Sequence, residues 1–127
     1  MIAEERDITT LVFKISIGED LNESFQVFTD DACLIGFNYT YFTGDIKMKD
    51  DKRFDAFVLE FSTGNGRLAM TSAGVVNITL SRLDNISKLK ANGARSYFAD
   101  FMVLDTADNL RSKHANIIFE VSETASL

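Results

Sequence analysis

The chain has 127 residues, of which 46% are hydrophobic and 25% charged, a length that suits one domain burying roughly two-thirds of its unfolded surface. Its net charge of −6 excludes nucleic acid and anionic membrane surfaces as main partners, because phosphate contacts need an excess of Lys and Arg. The lone Cys33 leaves no internal disulfide, no apolar run reaches the ~18–20 residues of a membrane span, and the opening Met-Ile-Ala-Glu-Glu-Arg-Asp is acidic where a signal peptide is basic.

Residues 1–10 are polar and read as an arm, as do residues 122–127. Leu11, Phe13, Ile15 and Ile17 alternate with Val12, Lys14 and Ser16, which predicts a strand with one core face. Gly18-Glu19-Asp20 is a turn. A second strand is expected from Glu23 to Thr29, and Asp30-Asp31 opens a loop closing at Leu34-Ile35-Gly36. A longer strand spans 37–49, with Phe42, Gly44, Ile46 and Met48 on one face and Tyr41, Thr43, Asp45 and Lys47 on the other. Gly44 in mid-strand signals a bulge or a close backbone approach. After a charged turn at 50–53, Phe57, Leu59 and Phe61 alternate with Val58 and Glu60.

Gly64-Asn65-Gly66 is a tight hairpin-turn signal before a short strand, Arg67 to Met70. Gly74 begins a sixth strand with Val76, Ile78 and Leu80 inward. From Ser81 to Lys90 the period changes: Leu83, Ile86 and Leu89 recur at three-residue spacing after a Ser81 N-cap, giving a short helical crossover that ends at Asn92-Gly93. The final hairpin organises the rest. Tyr97, Ala99, Phe101 and Val103 alternate with Phe98, Asp100, Met102 and Leu104, so both faces of this strand are largely apolar and it reads as central and buried on both sides. Asp105 to Asn109 turns the chain into a last strand with Ile117, Phe119 and Val121 on one face.

About eight short strands, one helical crossover and no linker predict an all-β single domain over 1–127: an antiparallel, two-sheet, immunoglobulin-like β-sandwich. Chemistry is sparser. His114 is the only histidine and has no nucleophile motif beside it, so it reads as a strand-flanking surface residue. Cys33 follows two acids that would raise a thiol pKa, which suits a passive loop cysteine. One Cys and one His do not make a zinc site. The acidic pairs Glu19-Asp20, Asp30-Asp31 and Asp50-Asp51 would gather calcium only if their loops shared one end, and none has a calcium-loop spacing. Glu60 reads as a solvated carboxylate. Asp100, between Ala99 and Phe101, is expected to be a buried carboxylate in a structural network. Tyr39, Tyr41 and Tyr97 are candidate exposed aromatic contacts. No catalytic, metal or cofactor residue is assigned, and no enzyme activity is expected.

In order, the strand ending in Gly18-Glu19-Asp20, then Phe25-Gln26-Val27-Phe28, Leu34-Ile35-Gly36-Phe37-Asn38-Tyr39, Asp45-Ile46-Lys47, Phe57-Val58-Leu59, Asn65-Gly66-Arg67, Gly74 to Ser81 and Tyr97 to Asp105 resemble the small β-sandwich domain of phage baseplate upper proteins and related tail-fibre-attachment proteins. The resemblance covers about residues 11–122. Two departures stand out: Ala99 replaces a common second aromatic, and the last turn lacks Gly. The resemblance implies a non-enzymatic virion component, made in host cytoplasm, that docks a tail fibre, receptor-binding protein or baseplate subunit and often acts as a homotrimer. Two other readings are a carbohydrate- or host-surface-binding module, which needs the exposed tyrosines, and a small acidic inhibitor of a host enzyme, which needs acids massed on one face.

Overall fold

The computed structural model describes residues 9–30, 32–50, 56–90 and 94–123. Its elements run β1 (Thr10–Ser16), β2 (Leu21–Gln26), β3 (Phe42–Met48), β4 (Leu59–Ser62), β5 (Leu68–Met70), β6 (Val75–Leu80), α1 (Arg82–Leu89), β7 (Arg95–Asp105) and β8 (Leu110–Ser122). They form two sheets, a five-stranded one ordered β1-β8-β7-β3-β4 and a three-stranded one ordered β2-β6-β5. With β2, β6 and β5 facing β3, β4, β7 and β8, the strand order is that of an immunoglobulin-like Greek-key sandwich. One cysteine allows no inter-sheet disulfide; aromatic packing joins the layers instead.

The expected final hairpin is the spine of the larger sheet, with β7 between β8 and β3. The Asp105–Asn109 turn works without Gly because Asn109 takes φ 61°, a left-handed conformation Asn tolerates. Only one face of β7 is buried, through Tyr97, Ala99, Phe101 and Val103, while Phe98, Met102 and Leu104 are half-covered. The outer face has no further layer on it among the described residues. Inside, Phe25 meets Phe13 at 6.0 Å and Phe101 edge-on at 5.6 Å, and Phe119 stacks on Phe13 and Phe61. Offset and edge-on rings of this kind add about 0.5–1.5 kcal/mol per pair beyond burial.

Several strand expectations change. The sheet is not wholly antiparallel: β1 pairs with β8 in parallel, Thr10 opposite Asn116 through Ser16 opposite Ser122. Thr10 and Ser122 therefore belong to strands and not to arms; residues 1–8 and 124–127 lie outside the described residues, as do Asn92-Gly93 and positions 51–53 of the charged turn. The strand expected over 37–49 begins only at Phe42, because the Asn38 side chain accepts from the Thr40 N–H and Phe42 N–H turns back to the Tyr39 carbonyl. This Asx turn competes with strand pairing. The strand expected over 23–29 ends at Gln26, continuing only as a Phe28–Gly36 bridge.

Gly64-Asn65-Gly66 does turn the chain, but β4 and β5 lie in different sheets, so it is a crossover and not a hairpin. Asn65 holds it by accepting from the Ser62 and Arg67 N–H groups and donating to the Glu60 carbonyl.

Gly44 makes the close approach its position implied: a Cβ there would sit 3.0 Å from Met70 Sδ and 3.2 Å from a Phe101 ring carbon. Two other glycines matter more. Phe37 N–H donates to the Val27 carbonyl and Val27 N–H to the Gly74 carbonyl, so backbone crosses backbone. A Cβ on Gly36 would fall well inside 3.0 Å of the Ala73 carbonyl, and one on Gly74, at φ 85°, inside 3.0 Å of the Val27 oxygen.

α1 is capped by Ser81, which accepts from the Asp84 N–H. The helix does not present Leu83, Ile86 and Leu89 as one apolar stripe. Its buried residues are Asn85 and Leu89, and Leu83 is exposed.

Candidate functional site

β8 holds register with β7 down to Ala115 opposite Phe101, but the next pair is Lys113 opposite Met102. His114 is the extra residue of a β-bulge, a device that re-aims a side chain. It therefore does not flank a strand on the surface: it sits within β8, half-buried, its ring edge-on to Phe37 at 4.7 Å and to Phe101 at 6.0 Å. Tyr39 Oη lies 2.7 Å from His114 Nδ1. Burial pushes the tyrosine pKa up and the histidine pKa down, so both are neutral at pH 7. The phenol, the better donor, donates to Nδ1, which leaves the ring proton on Nε2. Among the described residues no carboxylate or nucleophile meets this ring, so the pair fastens the loop carrying Phe37 and Tyr39 to β8.

The histidine's folded pKa lies below its ordinary 6.5. The unfolded chain therefore binds the proton more readily. The associated stability is fully present above about pH 6.5 and is lost as pH falls from there through the lower folded value. Urea titrations at pH 7 and pH 5 are expected to show less of this loss in His114→Gln than in the parent chain.

Asp100 is not a buried carboxylate. Tyr97, Ala99, Phe101 and Val103 take the inner face of β7, so Asp100 faces outward, its side chain 53% exposed and 3.5 Å from Lys113 Nζ. Tyr39 and Tyr97 are buried and not exposed contacts: Tyr39 is folded under by the Asn38 turn and Tyr97 faces Phe119 from the inner side of β7. Burial raises the Tyr97 pKa as well. Tyr41 alone is exposed. The aromatic platform that carbohydrate recognition needs is thereby reduced to one ring.

No protein-family model matches the sequence, and no curated protein matches it. Among solved structures, the chain is similar to one described as NK cell receptor Nkp44, a triggering partner in natural cytotoxicity, with a TM-score of 0.44 and 12% identity over 92% of this chain and 100% of that one.

The acidic pairs serve local structure. Asp20 accepts from the Arg82 N–H at the helix end, Asp30 accepts from the Leu34 and Ile35 N–H groups at the other end, and Asp50 pairs with Arg95. Asp31 and Asp51 lie outside the described residues. Among the described residues no three His, Cys, Asp or Glu groups are placed to hold a metal. Cys33 is exposed at φ 58°. Glu60 is half-exposed on the outer side of β4.

Two features were missed from sequence. One is Asn85, fully buried on α1, whose side chain accepts from Gly18 N–H and donates to the Ser16 and Glu19 carbonyls. Its four-residue spacing from Leu89 was the available signal. The other is a trough of about 260 Å³ on the outer face of the larger sheet, walled by Lys47 and Lys49 on one side and Arg111 and Lys113 on the other, with Phe98 and Met102 in its floor. Lys47–Lys49 and Arg111–Lys113 each show two-residue spacing, but only the strand order brings the two pairs to one face.

Proposed function

We propose that this chain is a non-enzymatic docking module, an adaptor of a tailed-phage particle, which contacts another virion protein through its β2–β3 loop and β7–β8 hairpin. The observation carrying this reading is that Leu34, Ile35, Tyr41 and Leu110, at that end of the sandwich, are 61–81% exposed on backbone that is already fixed. Asp30 binds the Leu34 and Ile35 N–H groups, and Thr106 donates through both backbone N–H and hydroxyl to the Tyr41 carbonyl. Loops held in place lose little freedom when a partner arrives, so burial of their apolar side chains goes largely into affinity. The phage setting rests on the ordered segments that resemble baseplate and fibre-attachment domains. So does the expected homotrimer.

Electron microscopy of particles labelled with an antibody to this chain is expected to mark the tail or baseplate; unlabelled particles overturn the virion setting. A Leu34→Asp, Leu110→Asp double variant is expected to leave particles without the docked component. Exposed substitutions change stability by only about 0.5 kcal/mol each, so its thermal midpoint stays close to that of the parent. Normal particles built with the variant overturn the loop end as the contact surface. Light scattering of the purified 14.2 kDa chain reads the trimer directly.

A further inference from the structure

We propose that the outer face of the five-stranded sheet binds an extended acidic segment of a protein partner, laid along β7 with carboxylates at every second position. The trough carries four cations, Lys47, Lys49, Arg111 and Lys113, against two carboxylates, Asp45 and Asp100. That is a local net of +2 in a chain whose total is −6, so the remaining residues together carry −8. A basic face on an acidic protein is a matter of placement and not of composition.

The placement has a period. Residues two apart on a strand stand about 6.5–7 Å apart on one face, and β3 and β8 flank β7 at two strand spacings, about 9.5 Å. The register staggers the two pairs: Lys49 is level with Phe98, Lys47 with Asp100, Lys113 with Met102 and Arg111 with Leu104, so one cation stands at each two-residue step along β7. An extended polypeptide with Asp or Glu at alternate positions has the same interval between its carboxylates, and lies along β7 over Phe98 and Met102. The cations are also loosely held. Arg111 reaches Asp45 at 3.3 Å and Lys113 reaches Asp100 at 3.5 Å, with Lys113 also donating to Asn116 Oδ1 at 2.9 Å. Lys47 lies over the Phe57 ring, 5.4 Å from its centroid, and Lys49 has no ion pair among the described residues. Solvent-exposed pairs of this sort are worth about 0–1 kcal/mol, so an incoming carboxylate displaces little. A nucleic acid fits less well, since its phosphates continue past the +2 patch into the field of an acidic protein.

This inference goes beyond the docking reading and uses a different face. The test is a titration of the isotope-labelled chain, followed by amide NMR, with a ten-residue peptide bearing Glu at alternate positions, its Gln counterpart, and a single-stranded oligonucleotide. The Glu peptide is expected to shift the amides of Lys47, Lys49, Asp100, Met102 and Lys113, and the Lys49→Glu, Lys113→Glu variant to bind it at least tenfold more weakly. The Leu34→Asp, Leu110→Asp variant is expected to bind it unchanged, so the two readings fail separately. The inference is overturned by no shifts with the Glu peptide, equal shifts with the Gln peptide, unchanged binding in the charge-reversed variant, or tighter binding of the oligonucleotide. Shifts at the same amides on concentrating the protein alone also overturn it, by assigning the trough to a second copy.

Discussion

Gly36→Ala is expected to destabilise the domain by about 3–4 kcal/mol, near the upper end for a single substitution. The new methyl would be driven into the Ala73 carbonyl. That obstacle is backbone, held in turn by the Thr71 and Val75 bonds of its turn, so no side-chain rotation relieves it. At this size the loss corresponds to a fall in melting temperature of roughly 12–15 °C. A graded series isolates the cause. Gly64→Ala, whose Cβ would meet only Ser62 Oγ at 3.8 Å, is expected to be neutral. Gly66→Ala has open space but φ 80°, and is expected to cost about 1 kcal/mol for the left-handed backbone alone. Calorimetry that ranked Gly36→Ala with Gly64→Ala would show that the two crossing segments separate easily, contrary to the structure.

Asn85→Ala is expected to cost about 3 kcal/mol. Three hydrogen bonds are lost at a fully buried position: the Gly18 N–H and the Glu19 carbonyl lose the side chain that satisfied them, and the Ser16 carbonyl keeps only the Glu19 N–H. Asn85→Leu, which fills the same space, is expected to be no better, because the penalty lies in the orphaned groups and not in a void. Asn85→Asp retains the acceptor facing Gly18 but turns a second oxygen toward two carbonyls. It is expected to be worst at pH 7 and to recover relative to the parent as acid protonates it. Denaturant unfolding of the three variants at pH 7 and pH 4 checks the order. Equal stability of Asn85→Leu and the parent would mean that the β1–β2 turn does not depend on the helix.

How much of this was readable beforehand follows from how each residue earns its position. Alternation of apolar side chains, with turn signals between the runs, located all eight strands and the inner faces of β1, β3, β6 and β8, because a sheet with one buried face repeats every two residues. The same rule failed for Phe37 and Tyr39. Their alternation is real, but Asn38 bends the backbone, and the rings reach the core from a loop. It failed differently for Asp100, since the apolar Phe98, Met102 and Leu104 on the outer face of β7 suggested a covering layer that the sheet does not have. His114 was misjudged because a bulge is a mismatch between two strands and is written in neither one alone. The parallel pairing of β1, the passage from β4 to β5 between sheets and the row of cations along β7 are likewise properties of strand order. Local sequence carries parity; it does not carry which strands become neighbours.

The union of β1 with β8 has a consequence for how the molecule is made. Residues 10–16 find their hydrogen-bonding row in residues 116–122, about a hundred positions later. At roughly 5–20 residues per second, translation leaves β1 without its neighbour for about 5–20 seconds. During that interval its Leu11, Phe13 and Ile15 are open to chaperones or to the same strand of another nascent copy. Crowded synthesis is therefore the circumstance in which exchange of β1 between molecules competes with the native closure.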